Sequence, residues 1–293
     1  MNIVNMKSSA APLIGGAKWS FVTRRVRQAD IRLLDRDLTA ARSGDLVLAE
    51  VQTIGNHKRL QLSDGRFSAL YPKDRIVLAC ADRFAEDQYE GVAALCPDGS
   101  DLLAGGGVIG EMRSRHGKIK RPTRLSVIGR LANKEGRVIN LSDFGLSPYQ
   151  GPRPKYVIGV LGTGMNAGKT AAAAGLVNGF ARFGKKVSAI KVTGTGSFGD
   201  VQAYEAAGAA QVWDFTDAGL ASTYRQPIGQ LDSLTRTLLA ASAQNDIASC
   251  CVAIRIARSL MLSSWLHQEL WPRKVPCIGW TVRRRSNLSR SAD

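Results

Sequence analysis

The chain has 293 residues, 44% hydrophobic and 22% charged, which is ordinary for a soluble globular protein with room for one large or two modest cores. No apolar stretch reaches the length of a membrane span and the N-terminus lacks a sustained apolar leader, so the cytoplasm is the expected compartment; five cysteines, odd in number and without metal spacing, exclude a fully paired disulfide framework. The net charge of +16 is uneven: residues 247–293 hold eight Lys/Arg and two acids, so +6 sits in the tail and +10 is spread over the other 246 residues, a mild basicity that suits a small anionic ligand as well as nucleic acid.

Residues 1–20, rich in Ser, Ala and Gly and without period, read as a flexible lead-in. From Phe21 to residue 146 short apolar runs are cut by turn signals. Leu46–Val51 follows Gly44-Asp45; Arg59–Leu62 and Phe67–Tyr71 flank Asp64-Gly65 as a hairpin; Ile76–Ala79 is another strand-like run. Leu125–Ile128 and Arg137–Leu141 pair across the Asn133–Gly136 turn. This spacing predicts a small β-rich barrel or sandwich over 21–146, with one helix near Asp82–Tyr89. Gly105-Gly106-Gly107 requires an unusual backbone or a close approach by a ligand or another strand. His57, beside Lys58 and Arg59, and His116, beside Arg115 and Lys118, read as solvated loop histidines, with anion contact as the alternative.

Residues 147–154 contain three prolines and a glycine and read as a linker. Beyond it the pattern alternates: Tyr156–Leu161 as a buried strand, Thr170–Phe183 as a helix, Lys186–Val192 as a strand, Gln202–Ala207 as a short helix, Val212–Phe215 as a strand and Leu231–Gln244 as a helix. The predicted fold is therefore α/β: a parallel-sheet domain over 155–246, preceded by the smaller β-rich one.

Between the first strand and first helix of that unit lies Gly162-Thr163-Gly164-Met165-Asn166-Ala167-Gly168-Lys169-Thr170. A strand, a glycine-punctuated loop and a helix converge backbone N–H groups and the positive end of a helix dipole on one point, which favours a phosphate. In a P-loop of this kind Lys169 reaches the β- and γ-phosphates and the Thr170 hydroxyl ligates Mg²⁺. Thr163 stands where the commoner pattern has glycine, and the form G-T-x-x-x-x-G-K-T resembles the loop of the dethiobiotin-synthetase-like branch of P-loop NTPases, in the class of MinD and MobB. The segment Ser188–Gly194 is similar to the lysine-bearing second strand of that branch, and the resemblance covers residues 156–245.

The resemblance implies ATP or GTP with Mg²⁺ as cofactors and an ATP-dependent ligase-like or ATPase activity on a small anionic substrate. It further implies Lys169 and Lys191 as catalytic residues, residues 162–170 around the phosphates, and Thr170 with Asp217 at the metal. Asp214 competes with Asp217 for that place, Asp200 reads as a turn residue or helix N-cap, and a homodimer is one open arrangement. Residues 247–293 depart from the pattern. An apolar run is present at 246–257, but Arg258 and Ser259 stand where an acid at the strand end is expected, and residues 247–293 hold three of five Trp, three of five Cys and Arg283–Arg285. The segment reads as a basic interaction tail or as one out of the ancestral reading frame. A nucleotide-binding module without turnover, and in last place a nucleic-acid binder, are the rival readings.

Overall fold

The computed structural model describes residues 8–148, 151–152, 154–162, 167–243, 245, 247–253 and 277–279. The first ten-stranded sheet is built from β1 (Ser8–Ser9), β2 (Lys18–Trp19), β3 (Leu33–Asp35), β4 (Leu46–Thr53), β7 (Arg75–Cys80), β8 (Arg83–Phe84), β9 (Tyr89–Val92), β10 (Ser100–Ala104), β11 (Val108–Arg115) and β12 (Thr123–Ala132). Between β4 and β7 a separate hairpin is formed by β5 (Arg59–Gln61) and β6 (Phe67–Ala69). β12 pairs with β4, β4 with β7, β7 with β11, β11 with β10, and β10 returns to β12, so five strands close a ring. Closure leaves those strands no free edge. The side-chain period of two then sorts residues to opposite faces. Val47, Ala49, Ile76, Leu78, Cys80, Leu102, Ile109 and Leu125 share one cluster, while Leu46, Leu48, Val77 and Ala79 join another with Trp19 and Phe21.

Five strands form the second sheet: β13 (Tyr156–Gly162), β14 (Val187–Lys191), β15 (Gln211–Asp214), β16 (Ile247–Ala253) and β17 (Cys277–Gly279), in the order β15-β14-β16-β13-β17. Every pairing is parallel, so the C-terminal ends of the strands share one edge. Parallel neighbours need crossovers, and three helices supply them: α2 (Lys169–Arg182), α3 (Phe198–Ala206) and α4 (Ile228–Ala241), α1 (Ala11–Ile14) being a single turn in the first half of the chain. Ala173 and Val177 of α2 pack with Ile158, Val160 and Ala189, whereas Leu234, Leu238 and Leu239 of α4 pack with Val157 and Ile190. The sheet is thus covered by helices on both faces, which is why its strands are continuous apolar runs.

Three expectations change. The lead-in is not loose from Ser8 onward: Ser8 and Ser9 pair with Leu34 and Leu33, Ala10 is buried, and Trp19 lies in the core. Its elements are only two to four residues long, too short to show a period in the sequence. The helix expected at Asp82–Tyr89 is instead the β8–β9 hairpin, with Arg83 opposite Gly91 and Phe84 opposite Glu90; burial of Tyr89 and Arg83 overrides local helix preference. The break expected at residue 246 is crossed by β16, which lies between β13 and β14 at the centre of the sheet. The basic stretches 254–276 and 280–293, and with them Arg283–Arg285, lie outside the described residues.

The two sheets meet along the loop that leads from β14 into α3. A Cβ on Gly106 would lie 1.9 Å from the Gly196 carbonyl oxygen, and Gly107 holds φ of 109°, so the triple glycine serves a close backbone approach. Phe198, two residues on, is buried in the cluster of Trp19 and Phe21, its ring 4.8 Å from that of Phe67 and its N–H donating to Gln61 Oε1 at 2.9 Å. Gly106→Ala must push these backbones apart; it is expected to lower stability by about 1–3 kcal/mol, the usual range for overpacking, measured as a lower urea midpoint with an unchanged slope.

Candidate functional site

The chain turns from β13 into α2 at the shared C-terminal edge of the parallel sheet. Of the expected loop, Gly162, Ala167, Gly168, Lys169 and Thr170 are described, and Thr163, Gly164, Met165 and Asn166 lie outside the described residues. Gly168 caps α2 with φ of 78°, a left-handed conformation that glycine adopts without strain. Behind it the N–H groups of the helix's first turn have no carbonyl within the helix to bond. Lys169 folds back over the end of β13: a Cβ on Gly162 would stand 2.8 Å from Lys169 Cγ and 2.9 Å from Cδ. Glycine at 162 is therefore what lets the lysine lie across the loop. The Thr170 hydroxyl donates to Asp200 Oδ1 at 2.8 Å.

Asp200 is neither a bare turn residue nor the helix cap. Ser197 caps α3, accepting from Gly199 N, and Asp200 in the first turn faces the P-loop side. Lys191, at the end of β14 and 8% exposed, places Nζ 2.5 Å from Asp200 Oδ2 and 4.0 Å from Asp214 Oδ2. Strand register sets this up, because Lys191 and Asp214 are direct partners at the ends of β14 and β15. Burial acts to raise the Asp200 pKa, but the charge of Lys191 and hydrogen bonds from Lys191 and Thr170 outweigh it and hold the carboxyl below its ordinary value. Asp214 goes the other way. It is fully buried, and loss of solvation pushes its carboxyl up against the opposing pull of Lys191 and Arg24. Its Oδ1 accepts from Thr216 N at 2.7 Å, and its Oδ2 has no hydrogen-bond partner among the described residues.

Asp217, expected at the metal, is not brought to this point. It sits in the 3₁₀ turn Phe215–Ala218, where Oδ1 pairs with Arg24 Nη2 at 2.7 Å and Oδ2 accepts from Asp214 N at 2.9 Å. Arg24 also donates to the Thr216 hydroxyl. The residue ties the parallel sheet to the segment that follows β2. A sequence cannot show this, because the partner lies 193 positions away.

A cavity of about 880 Å³ opens over Lys169, Thr170, Lys191 and Asp200. One side is made by the loop after β14 and by Ser222–Arg225, the other by Asn56–Arg59, Arg83–Phe84 and Gly105–Gly106 from the first half of the chain. The Ser222–Arg225 segment is anchored to the opposite wall: Tyr224 Oη donates to Glu90 Oε1 at 3.1 Å, and its ring lies 5.6 Å from that of Phe84. Arg225 holds φ of 63°, unusual for a residue with a Cβ and a mark of a constrained position. His57 is not solvated as expected. Its Nε2 lies 3.2 Å from the Leu103 carbonyl and its ring packs edge-on against Tyr89. Burial first, then the charge of Arg83, lowers its pKa to about 4, so the imidazole is neutral near pH 7. The signal missed in the sequence is the pairing of Arg83 with His57 through Tyr89, which only the hairpin creates.

Two outcomes are expected. Lys191→Met leaves Asp200 and the buried Asp214 without their cation and should cost about 3 kcal/mol; adding Asp214→Asn, which keeps the Oδ1 cap, should recover part of that loss in urea unfolding. His57 supplies the pH dependence. Its unfolded value is 6.5 and its folded value about 4, so between these the unfolded chain binds the proton and the folded chain does not. Stability is therefore lost as pH falls through that window, by up to about 3 kcal/mol. His57→Asn should flatten that dependence in urea midpoints measured from pH 7 down to 4.5.

No family model matches the chain, and no curated protein matches it. Among solved structures it is similar to the signal recognition particle receptor FtsY from Elizabethkingia anophelis, at 22% identity and a TM-score of 0.27. The match covers 41% of this chain and spans 36% of that one, and a likeness of this size carries no argument about function.

Proposed function

We propose that the chain binds a nucleoside triphosphate with Mg²⁺ at the C-terminal edge of the parallel sheet and uses it, as an ATP-dependent ligase-like enzyme, on a small anionic substrate in the same cleft. The observation that carries this reading is the convergence of Lys169, Thr170, Asp200 and Lys191 on one cavity at the N-terminus of α2. Lys169 and the first-turn N–H groups hold phosphate oxygens by charge and by the helix dipole. The Thr170 hydroxyl and the Asp200 carboxylate, 2.8 Å apart, offer the hard oxygen donors that Mg²⁺ requires, so Asp200 takes the place first given to Asp217. Bound Mg²⁺ would offset negative charge on the phosphates. Lys191 is held by Asp200 and Asp214 at a fixed point of the same wall, where it balances charge on a phosphate or a substrate anion. The chemistry asked of the protein is positioning and charge neutralisation.

One observation favours a second reading, nucleotide binding without turnover. Ala253, the last residue of β16, is in register with Gly162, the last residue of β13. The sequence there runs Ile254-Arg255-Ile256-Ala257-Arg258, and the next acid is Glu269. An acid at that strand end, the usual partner of metal or attacking water, is missing from the sequence.

Calorimetric titration with ATP and with GTP, with and without Mg²⁺, tests the proposal. Lys169→Ala is expected to weaken binding by tenfold or more, equivalent to about 1.4 kcal/mol, and Asp200→Asn to remove most of the Mg²⁺ dependence. Binding with no release of phosphate selects the second reading. Absence of binding by the folded, unmutated chain overturns both.

A further inference from the structure

The wall of the cavity opposite the P-loop carries a cation that nothing above employs. Arg83 lines the cavity and is 5% exposed. Its Nη2 donates to Gln88 Oε1 at 2.7 Å, but Nε and Nη1, both buried, have no hydrogen-bond partner among the described residues. A guanidinium stays charged at any pH the protein meets, so leaving two of its nitrogens unsatisfied away from water is costly. Buried polar groups are otherwise almost always bonded, and an exception calls for an absent partner. The residue is held in place by its own strand and by the Tyr89 ring, whose centroid lies 5.8 Å from the guanidinium carbon. His57, also on the cavity wall, stands against the same ring, 5.8 Å between centroids. With Nε2 donating to Leu103, the neutral imidazole keeps Nδ1 as an acceptor.

We propose that Arg83 is the recognition point for the carboxylate of a small organic acid, the acid lying between Arg83 and the P-loop with His57 Nδ1 beside it as acceptor for a polar hydrogen. The charge around Arg83 selects a carboxylate over a phosphate. Glu86 lines the same wall and Asp87 acts on Arg83 through space, so a singly charged carboxylate group is tolerated where a doubly charged phosphate group is repelled. Volume agrees. At about 880 Å³ the cavity stands at the upper end of the roughly 300–1,000 Å³ common for ligand sites, which leaves room for a second small molecule beside a nucleotide. The inference rests on the nucleotide reading only for what the far end of the acid meets; the carboxylate contact itself stands without it.

The test uses the full chain without nucleotide and, as probes, the sodium salts of acetate, propionate, succinate and glutarate against sodium chloride at equal ionic strength. At least one carboxylate is expected to raise the melting temperature and to shift the amide resonances of His57, Arg83 and Phe84. Binding should weaken tenfold or more in Arg83→Gln, with Arg83→Lys between the two. If Arg83→Gln does not fold, Arg83→Lys and the resonance shifts of the unmutated chain decide. No response to any probe, shifts confined to other residues, or an unchanged response in a folded Arg83 variant overturns the proposal. A carboxylate response with no nucleotide binding in the separate titrations sinks the nucleotide reading and leaves this one standing. The reverse result does the opposite.

Discussion

The distance between two backbones governs this molecule. Gly106 lies in the turn between β10 and β11 and Gly196 in the loop after β14; a Cβ on Gly106 would strike the Gly196 carbonyl, and one on Gly196 would strike Val22. That contact places Phe198 in the core of the first sheet, so the first turn of α3 is fixed from outside the sheet to which α3 belongs. Asp200 is part of that turn. The carboxylate that meets Thr170 and Lys191 is therefore positioned by the β-rich half of the chain, through Phe67, Gln61 and Gly106, and not by the parallel sheet alone. The acid beside the N-terminus of α2 thus depends on a neighbour. The arrangement gives the β-rich half a physical task at the site beyond forming one wall.

Lys191 shows the same economy of placement in charge. One ammonium group is set between two carboxylates of opposite tendency: Asp200, half-buried and held ionised by it, and Asp214, fully buried and pushed toward its neutral form. Pairing a lysine so closely removes its freedom to sample the cavity, and a buried ion pair contributes more to a unique geometry than to stability. An incoming phosphate or carboxylate must then compete with Asp200 for Lys191.

Much of the second half was legible because its signals are local. The periods of β13 to β15 and of α2 and α4, and the glycine pattern ahead of Lys169, each lie within a few residues and state a physical need. The first half was legible only where a turn announces a hairpin, as at Asp64-Gly65 between β5 and β6. Two-residue strands such as β1, β2 and β8 have no period to read, and the helix expected at Asp82–Tyr89 fails because Tyr89 and Arg83 are drawn inward by contacts far off in sequence. The same distance rule explains the acids. Asp217 looked like a site residue from its place at a strand end, yet its partner Arg24 comes from the segment after β2, while Asp200 was passed over as a turn residue although α3 carries it to Thr170. Carboxylates are assigned by their partners, and partners are tertiary.

Charge then narrows what the cavity can hold. Six lysines and arginines line it (Lys58, Arg59, Arg83, Lys169, Lys191 and Arg225) against the carboxylates of Glu86 and Asp200. Arg59 stacks on the Phe67 ring at 4.5 Å and Arg225 reaches Glu90 at 3.8 Å, so these two are engaged at the rim. Two of the others stand on opposite walls: Lys169 at the N-terminus of α2, and the buried Arg83 across the cavity. A cleft of low dielectric focuses the field of each on the space between them. A single compact anion meets the charge of one wall only. Two anions, or one ligand with charge at both ends, satisfy both, and the separation of the two cations on opposite walls is therefore the strongest physical statement the site makes about its ligands.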